Sequence, residues 1–138
     1  MSSTVNTDRY VTRVRCDVDV DTAEERVRAA LAEVGFGVLT EIDVAATLKK
    51  KLDVDTPPYR ILGACKPSYA HRALEIDPAI GGLLPCNVVV REHPEGGSEL
   101  MAVDPVAMLG LAQVPELEEI AAQVADELTS ALTAAARV

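Results

Sequence analysis

Two cysteines are the residues of this chain whose positions favour chemistry. Cys65 ends an apolar run and is followed by Lys66 and Pro67, and Cys86 comes directly after Pro85. A strand, a thiol, a proline and a helix in that order place Cys65 near a helix N-terminus, where the helix dipole favours a thiolate. A thiolate acts as a nucleophile, a redox centre or a soft-metal ligand. The competing interpretation is a buried core residue, since free cysteines are often buried.

Whether the two thiols meet depends on the topology of the predicted sheet. If the helix after Cys65 is a crossover to a parallel strand, Cys65 and Cys86 lie at opposite edges of the sheet. If residues 77–85 run back along the sheet, the next strand starts beside Cys65, because nine extended residues span up to roughly 30 Å. A disulfide would also need α-carbons within about 7 Å, and a metal site would need further ligands.

The predicted site adds three residues to the two cysteines. Lys66 and Asn87 adjoin them in the sequence and are predicted, with Cys65 and Cys86, to contact a small ligand. His71, six residues after Cys65, is the predicted third ligand of a metal held by Cys65 and Cys86. The closely spaced cysteine pairs of zinc motifs are absent. No particular cofactor is indicated.

Composition limits the classes of function. The 138 residues suit one domain, and 22 Asp and Glu against 13 Lys and Arg give a formal charge of −9. With three Tyr, one Phe and no Trp, the chain lacks the basic and aromatic surface that nucleic acid requires. Three cysteines favour a reducing, cytoplasmic location. No apolar run is long enough for a membrane span or a signal core, so we expect no membrane partner.

Hydrophobic periodicity predicts alternating strands and helices. Strands are predicted at 14–20, 36–42 and 59–64, with a hairpin within 87–104. Helices are predicted after a capping box at Thr22 and Glu25, at 44–52, at 67–76 and from Pro115 onward, and residues 77–85 read as irregular. This order fits an α+β fold, a two-layer arrangement of a mixed or antiparallel sheet with helices packed on one face. A Gly-rich phosphate-binding turn is absent, which disfavours a nucleotide fold.

Several motifs together resemble one known family. They are Tyr59 to Pro67 (YRILGACKP), Ala70 to Leu74 (AHRAL), Ile80 to Val90 (IGGLLPCNVVV), Glu41 to Asp43, Thr47 to Lys49, Asp104 with Pro105, and Met108 to Gly110. The chain resembles the proteins grouped as domain of unknown function 302. The resemblance spans roughly residues 10 to 136 and implies a flexible segment at 1–9 followed by a single family domain at 10–136. It further implies a compact α+β domain of bacteria and archaea, dimeric in crystals, and it supplies no activity. It also marks Lys66 as a cation beside Cys65 that would lower the thiol pKa further.

Three functions compete on these residues. The leading hypothesis is a small homodimeric binding protein in which Cys65 and Cys86 hold a soft metal ion or a thiol-reactive small molecule. The second is a thiol-disulfide or sulfur-transfer enzyme with Cys65 as nucleophile and Cys86 as resolving thiol. The third is a structural or interaction module without a ligand. The dimer surface would lie on the alanine-rich final helix or on the strand edges.

Overall fold

The computed structural model describes residues 5–137 and contains one six-stranded sheet. Its strands are β1 (Asn6–Asp8), β2 (Val11–Cys16), β3 (Gly37–Asp43), β4 (Tyr59–Cys65), β5 (Cys86–Glu92) and β6 (Ser98–Val103). They lie in the order β1-β2-β6-β5-β4-β3, and every neighbouring pair is antiparallel. The predicted α+β class is confirmed, and of the two predicted sheet types the antiparallel one is present.

Five helices connect or cover the strands. They are α1 (Val20–Glu33), α2 (Val44–Leu52), α3 (Pro67–Ile76), α4 (Pro105–Gly110) and α5 (Glu118–Arg137), with single 3-10 segments at Pro78–Leu83 and Pro115–Leu117. Helix α5 packs against α1, α4 and the strands β2 and β6. None of the helices in residues 5–137 is long and apolar enough to cross a membrane.

The core lies between the sheet and the two long helices. Val14, Val88 and Leu100 point from three strands toward Leu31 of α1 and Leu132 of α5, and all five side chains are buried. Alternation in β2 and the stripe of α5 predict these positions, because a strand buries every second residue and a helix buries every third or fourth. The thiol of Cys16 belongs to this core and lies 3.9 Å from the carbonyl oxygen of Ala135.

The predicted start of the first helix was wrong. The helix begins at Val20, and its N-cap is Asp19, whose carboxylate accepts the Thr22 backbone N–H at 3.0 Å. Thr22 therefore lies inside the helix and not at its cap. An aspartate with extended backbone satisfies one of the free N–H groups of the first turn, so it can begin the helix earlier than the predicted capping box.

The chain adds two elements that periodicity did not predict. Residues 6–8 form β1, which pairs with β2, although they belong to the segment predicted to be flexible. Residues 1–4 of that segment lie outside the described residues. Helix α4 follows Asp104, whose carboxylate accepts the Val106 N–H at 3.1 Å. Both elements are too short to show a hydrophobic period, which needs a longer window.

Candidate functional site

The register of β4 and β5 brings the two predicted thiols to one place. Ala64 lies opposite Cys86 in the antiparallel ladder, so β5 starts beside the end of β4. Between them, α3 and the 3-10 segment leave the sheet and return to it. The sequence left two topologies open. The structure has the one in which residues 77–85 return along the sheet, so that the next strand starts beside Cys65. Cys65 and Cys86 line the same pocket, and both are free thiols.

The pocket is small and mostly apolar. Its volume is about 40 Å³, and it lies between the end of β4, the first turns of α3, the loop before β5, α4 and α5. Its apolar lining includes Phe36, Ala73, Leu84, Leu109 and Val124. A cavity needs roughly 10–15 Å³ of such space to hold one water molecule. The space therefore suits a single ion or a molecule of very few atoms.

Burial makes both thiols weaker acids. It raises the pKa of Cys65, and burial followed by the proximity of Cys65 raises the pKa of Cys86 to about 11. The prediction that Cys65 has a lowered pKa was therefore wrong. The cause is loss of solvation, which disfavours the charged thiolate. Both sulfurs are protonated at neutral pH in the absence of a ligand.

Lys66 does not serve Cys65 as predicted, because a carboxylate on α5 engages it. Its Nζ lies 2.7 Å from Glu127 Oε1, and the Tyr69 hydroxyl donates to Glu127 Oε2 at 2.7 Å. The ammonium also lies 4.6 Å from the centre of the Tyr69 ring and 6.0 Å from that of Phe36. The contact with Glu127 raises the pKa of Lys66 and that of Tyr69. We call Lys66, Tyr69 and Glu127 the Glu127 cluster.

The Glu127 cluster fastens the segment that covers the pocket. This segment runs from Lys66 to Leu84. Within the described residues 5–137, its side chains make two hydrogen bonds to another part of the fold, from Lys66 and from Tyr69 to Glu127. The other anchors of this segment are apolar, chiefly the buried Ala73 and Ile80. Both polar anchors come from the N-terminal end of α3, one from the N-cap residue Lys66 and one from Tyr69 in the first turn, close to Cys65.

The structure separates His71 and Asn87 from the pocket. The His71 side chain is 76% exposed and lies 3.7 Å from Glu75 one turn later on α3. Asn87 is exposed, because it follows Cys86 in β5 and neighbouring strand residues point to opposite faces. The predicted metal set of Cys65, Cys86 and His71 therefore does not assemble. In the described part of the chain no three His, Cys, Asp or Glu side chains converge on a possible metal position.

Gly63 allows the pocket wall to close. A Cβ at this position of β4 would lie 2.8 Å from Pro85 Cγ and closer still to Thr40 Oγ1. Pro85 lines the pocket next to Cys86, and the bond before it is cis. The glycine in the Gly-Ala-Cys run is thus explained by the close approach of two neighbouring chain segments.

Four residues of the site were missed by the sequence analysis. Phe36, Tyr69 and Met108 line the pocket, and Glu127 holds its edge. Glu127 lies between the buried Val124 and Leu128 on α5, where spacing alone indicates only a helix flank. Met108 falls in a motif of the family pattern, yet its thioether had no predicted role. These contacts join segments far apart in the sequence, so local patterns carry no signal for them.

Comparisons with known proteins agree with this architecture. The family model described as "Domain of unknown function DUF302" matches residues 12–135. The crystal structure of an uncharacterized conserved DUF302 protein from Bacillus stearothermophilus is similar to this chain with a TM-score of 0.87 and 30% sequence identity. The match covers 94% of this chain and 100% of that one. No curated protein matches the chain. The chain therefore belongs to the DUF302 family, the domain of unknown function 302 that its motifs resemble.

Proposed function

We propose that this protein is a homodimeric binding protein that holds a small soft ligand at Cys65 and Cys86. The observation that carries the proposal is that both free thiols line one small apolar pocket. Soft metal ions and thiol-reactive molecules bond preferentially to sulfur. The volume of about 40 Å³ restricts the ligand to an ion or a molecule of very few atoms.

The pocket supports binding over the two alternative functions. A thiol-exchange enzyme needs an appreciable thiolate fraction near neutral pH, whereas burial raises the pKa of Cys65 and of Cys86. A purely structural role for both cysteines would leave no cavity beside them, whereas both line one here. The shape of the site favours a small ligand that bonds to both sulfur atoms, and such a ligand has to displace the thiol protons.

The Glu127 cluster supports a pocket that is formed before the ligand arrives. It ties the first turn of α3 to α5 through two contacts of 2.7 Å. Rigid sites bind more tightly because less ordering accompanies binding. Lys66 in this arrangement orients the pocket wall and is not the activator of Cys65.

The exposed edge of the sheet supports the dimer. Strand β3 has a neighbour on one side only, and its Leu39 and Ile42 side chains are 67% and 48% exposed. Helix α5, the other predicted surface, buries its apolar residues in the core of the chain. A second copy pairing along β3 would cover the apolar residues and the unpaired backbone groups of this edge.

Native mass spectrometry tests the ligand. The protein is purified without oxygen or chelator, and its native mass is compared with its denatured mass. We expect an added mass in the wild type that is lost in Cys65→Ala and in Cys86→Ala. Cys16→Ala is the matched control, because Cys16 is buried in the core away from the pocket. A wild type without added mass, or equal retention in Cys65→Ala, would contradict the proposal.

Sedimentation velocity tests the dimer. The wild type should sediment as a dimer, and Leu39→Lys or Ile42→Lys should shift it to a monomer, because a lysine at an edge strand opposes pairing. Leu111→Lys is the matched control, since Leu111 is 73% exposed at the end of α4, away from the β3 edge. A monomeric wild type, or the same shift in all three variants, would count against pairing along β3.

A further inference from the structure

A third sulfur atom shares the pocket with the two thiols. Met108 of α4 lines the same cavity as Cys65 and Cys86. Its helix is anchored on both sides of Met108. The Asp104 carboxylate caps the helix, and the side chain of Leu109, the residue after Met108, is buried in the core. The thioether is therefore presented to the cavity by an anchored element.

The remaining lining selects against hard cations. Among residues 5–137, those that line this cavity include no Asp, Glu or His. Calcium and magnesium require several oxygen ligands, and structural zinc requires four ligands drawn from sulfur, nitrogen and oxygen. Two thiols with a thioether, in a lining without carboxylate or imidazole groups, are instead the donor set that favours monovalent copper.

We infer that the pocket binds one Cu(I) ion through the Sγ atoms of Cys65 and Cys86 and the Sδ atom of Met108. This inference rests on the proposed function and names its ligand. The cavity of about 40 Å³ has room for a single ion between the three residues. Most of the other lining residues are apolar.

The charges and protons balance in this site. Cu(I) displaces one proton from each thiol, so two protons pass to solvent and two copper–thiolate bonds form. The oxidation state of copper does not change. One positive and two negative charges leave a single net negative charge in the pocket.

Competition with a chromogenic Cu(I) chelator tests the inference on the full chain under anaerobic conditions. The wild type should take up one copper per chain, and its charge-deconvoluted native mass should rise by the mass of copper less one proton, as a monovalent ion requires. Cys65→Ser and Cys86→Ser should abolish uptake. Met108→Leu keeps an apolar side chain of similar volume and should weaken Cu(I) binding by about tenfold or more, equivalent to about 1.4 kcal/mol.

Two matched controls separate the inference from general effects. Met101→Leu changes a methionine on β6 that does not line the pocket, and Cys16→Ser changes a cysteine of the core. Both should bind Cu(I) as the wild type does. X-ray absorption of the copper-loaded wild type should show sulfur as the coordinating element, with fewer sulfur neighbours in Met108→Leu.

The outcomes also separate this inference from the proposed function. Unchanged affinity in Met108→Leu, with loss in both cysteine variants, overturns the three-sulfur site and leaves a soft-ligand pocket at the two thiols. No copper uptake by a wild type that still retains another adduct overturns copper as the ligand. Uptake that survives Cys65→Ser and Cys86→Ser places the ion elsewhere and overturns the inference.

Discussion

Replacing Gly63 by alanine tests the packing that shapes the pocket wall. The added methyl group would lie 2.8 Å from Pro85 Cγ, whereas carbon atoms pack best at about 3.5–4.0 Å. The Pro85 ring or strand β4 must therefore move by roughly 1 Å. Thr40 can rotate its hydroxyl away from the new methyl group, but a proline ring has no such freedom.

The expected loss of stability follows from this overlap. Overpacking of a well-packed site costs about 1–3 kcal/mol, and removing a glycine from a strand returns about 0.5–1 kcal/mol of backbone entropy. Because Gly63 meets two neighbours, the overlap belongs to the upper part of the range, and the net loss is about 2 kcal/mol. For a chain of this size the midpoint of thermal unfolding should fall by roughly 8 °C.

Urea unfolding of Gly63→Ala beside Gly37→Ala provides the assay. Gly37 pairs with Cys65 on the neighbouring strand, and a Cβ there meets no atom within 4 Å. The Gly37 variant should therefore lose no stability, and the free energy of unfolding should rise by about 0.5–1 kcal/mol from the backbone entropy alone. A Gly63→Ala protein as stable as the wild type, or an equal loss in both variants, would refute the reasoning.

Three further perturbations probe the site and the core. Glu127→Gln should release the first turn of α3, so iodoacetamide should alkylate Cys65 several-fold faster while Cys16, 1% exposed in the core, stays unreactive. Alkylation of Cys86 should be slow at neutral pH and rise about tenfold per pH unit from pH 7 to 9, because burial raises its pKa to about 11. Leu132→Ala should lower the free energy of unfolding by about 2–5 kcal/mol in urea, since Leu132 is 0% exposed.

A control variant accompanies the Glu127→Gln experiment, and each of the three predictions has a result that would contradict it. Glu24→Gln removes another carboxylate that pairs with two cations, Arg28 and Arg60, away from the pocket, and should leave Cys65 alkylation unchanged. Equal acceleration in both variants, or exposure of Cys16, would mean general destabilisation. A Cys86 rate that is already maximal at pH 7 would contradict its raised pKa. A Leu132→Ala loss below about 1 kcal/mol would place that side chain outside the packed core.

Local sequence patterns were sufficient to predict most of the helices and strands. The alternation at Val14 and Cys16 and the stripe of Leu128 and Leu132 correspond to β2 and α5 in the structure. The cap of α2 is equally local, because the Asp43 carboxylate accepts the Ala46 N–H at 2.9 Å. Such interactions join residues within a few positions of each other, so the sequence displays them directly.

The first helix shows where a local pattern misleads. Two capping signals, Asp19 and Thr22, lie three residues apart. Both can accept an N–H of a first turn, and the structure uses the earlier one. The choice buries Val20 against the core, a contribution that becomes visible only when the helix is docked on the sheet.

The sequence by itself determined the fold class, the family pattern and the two cysteines that merit testing. Only the tertiary structure decided that β5 returns antiparallel beside Cys65, that Glu127 engages Lys66, that His71 faces solvent and that Met108 adds a third sulfur. It also decided the protonation of the thiols, because burial raises the pKa of Cys65. The physical reason is range: periodicity and capping act within one element, whereas register, burial and side-chain pairing between elements depend on how distant segments pack.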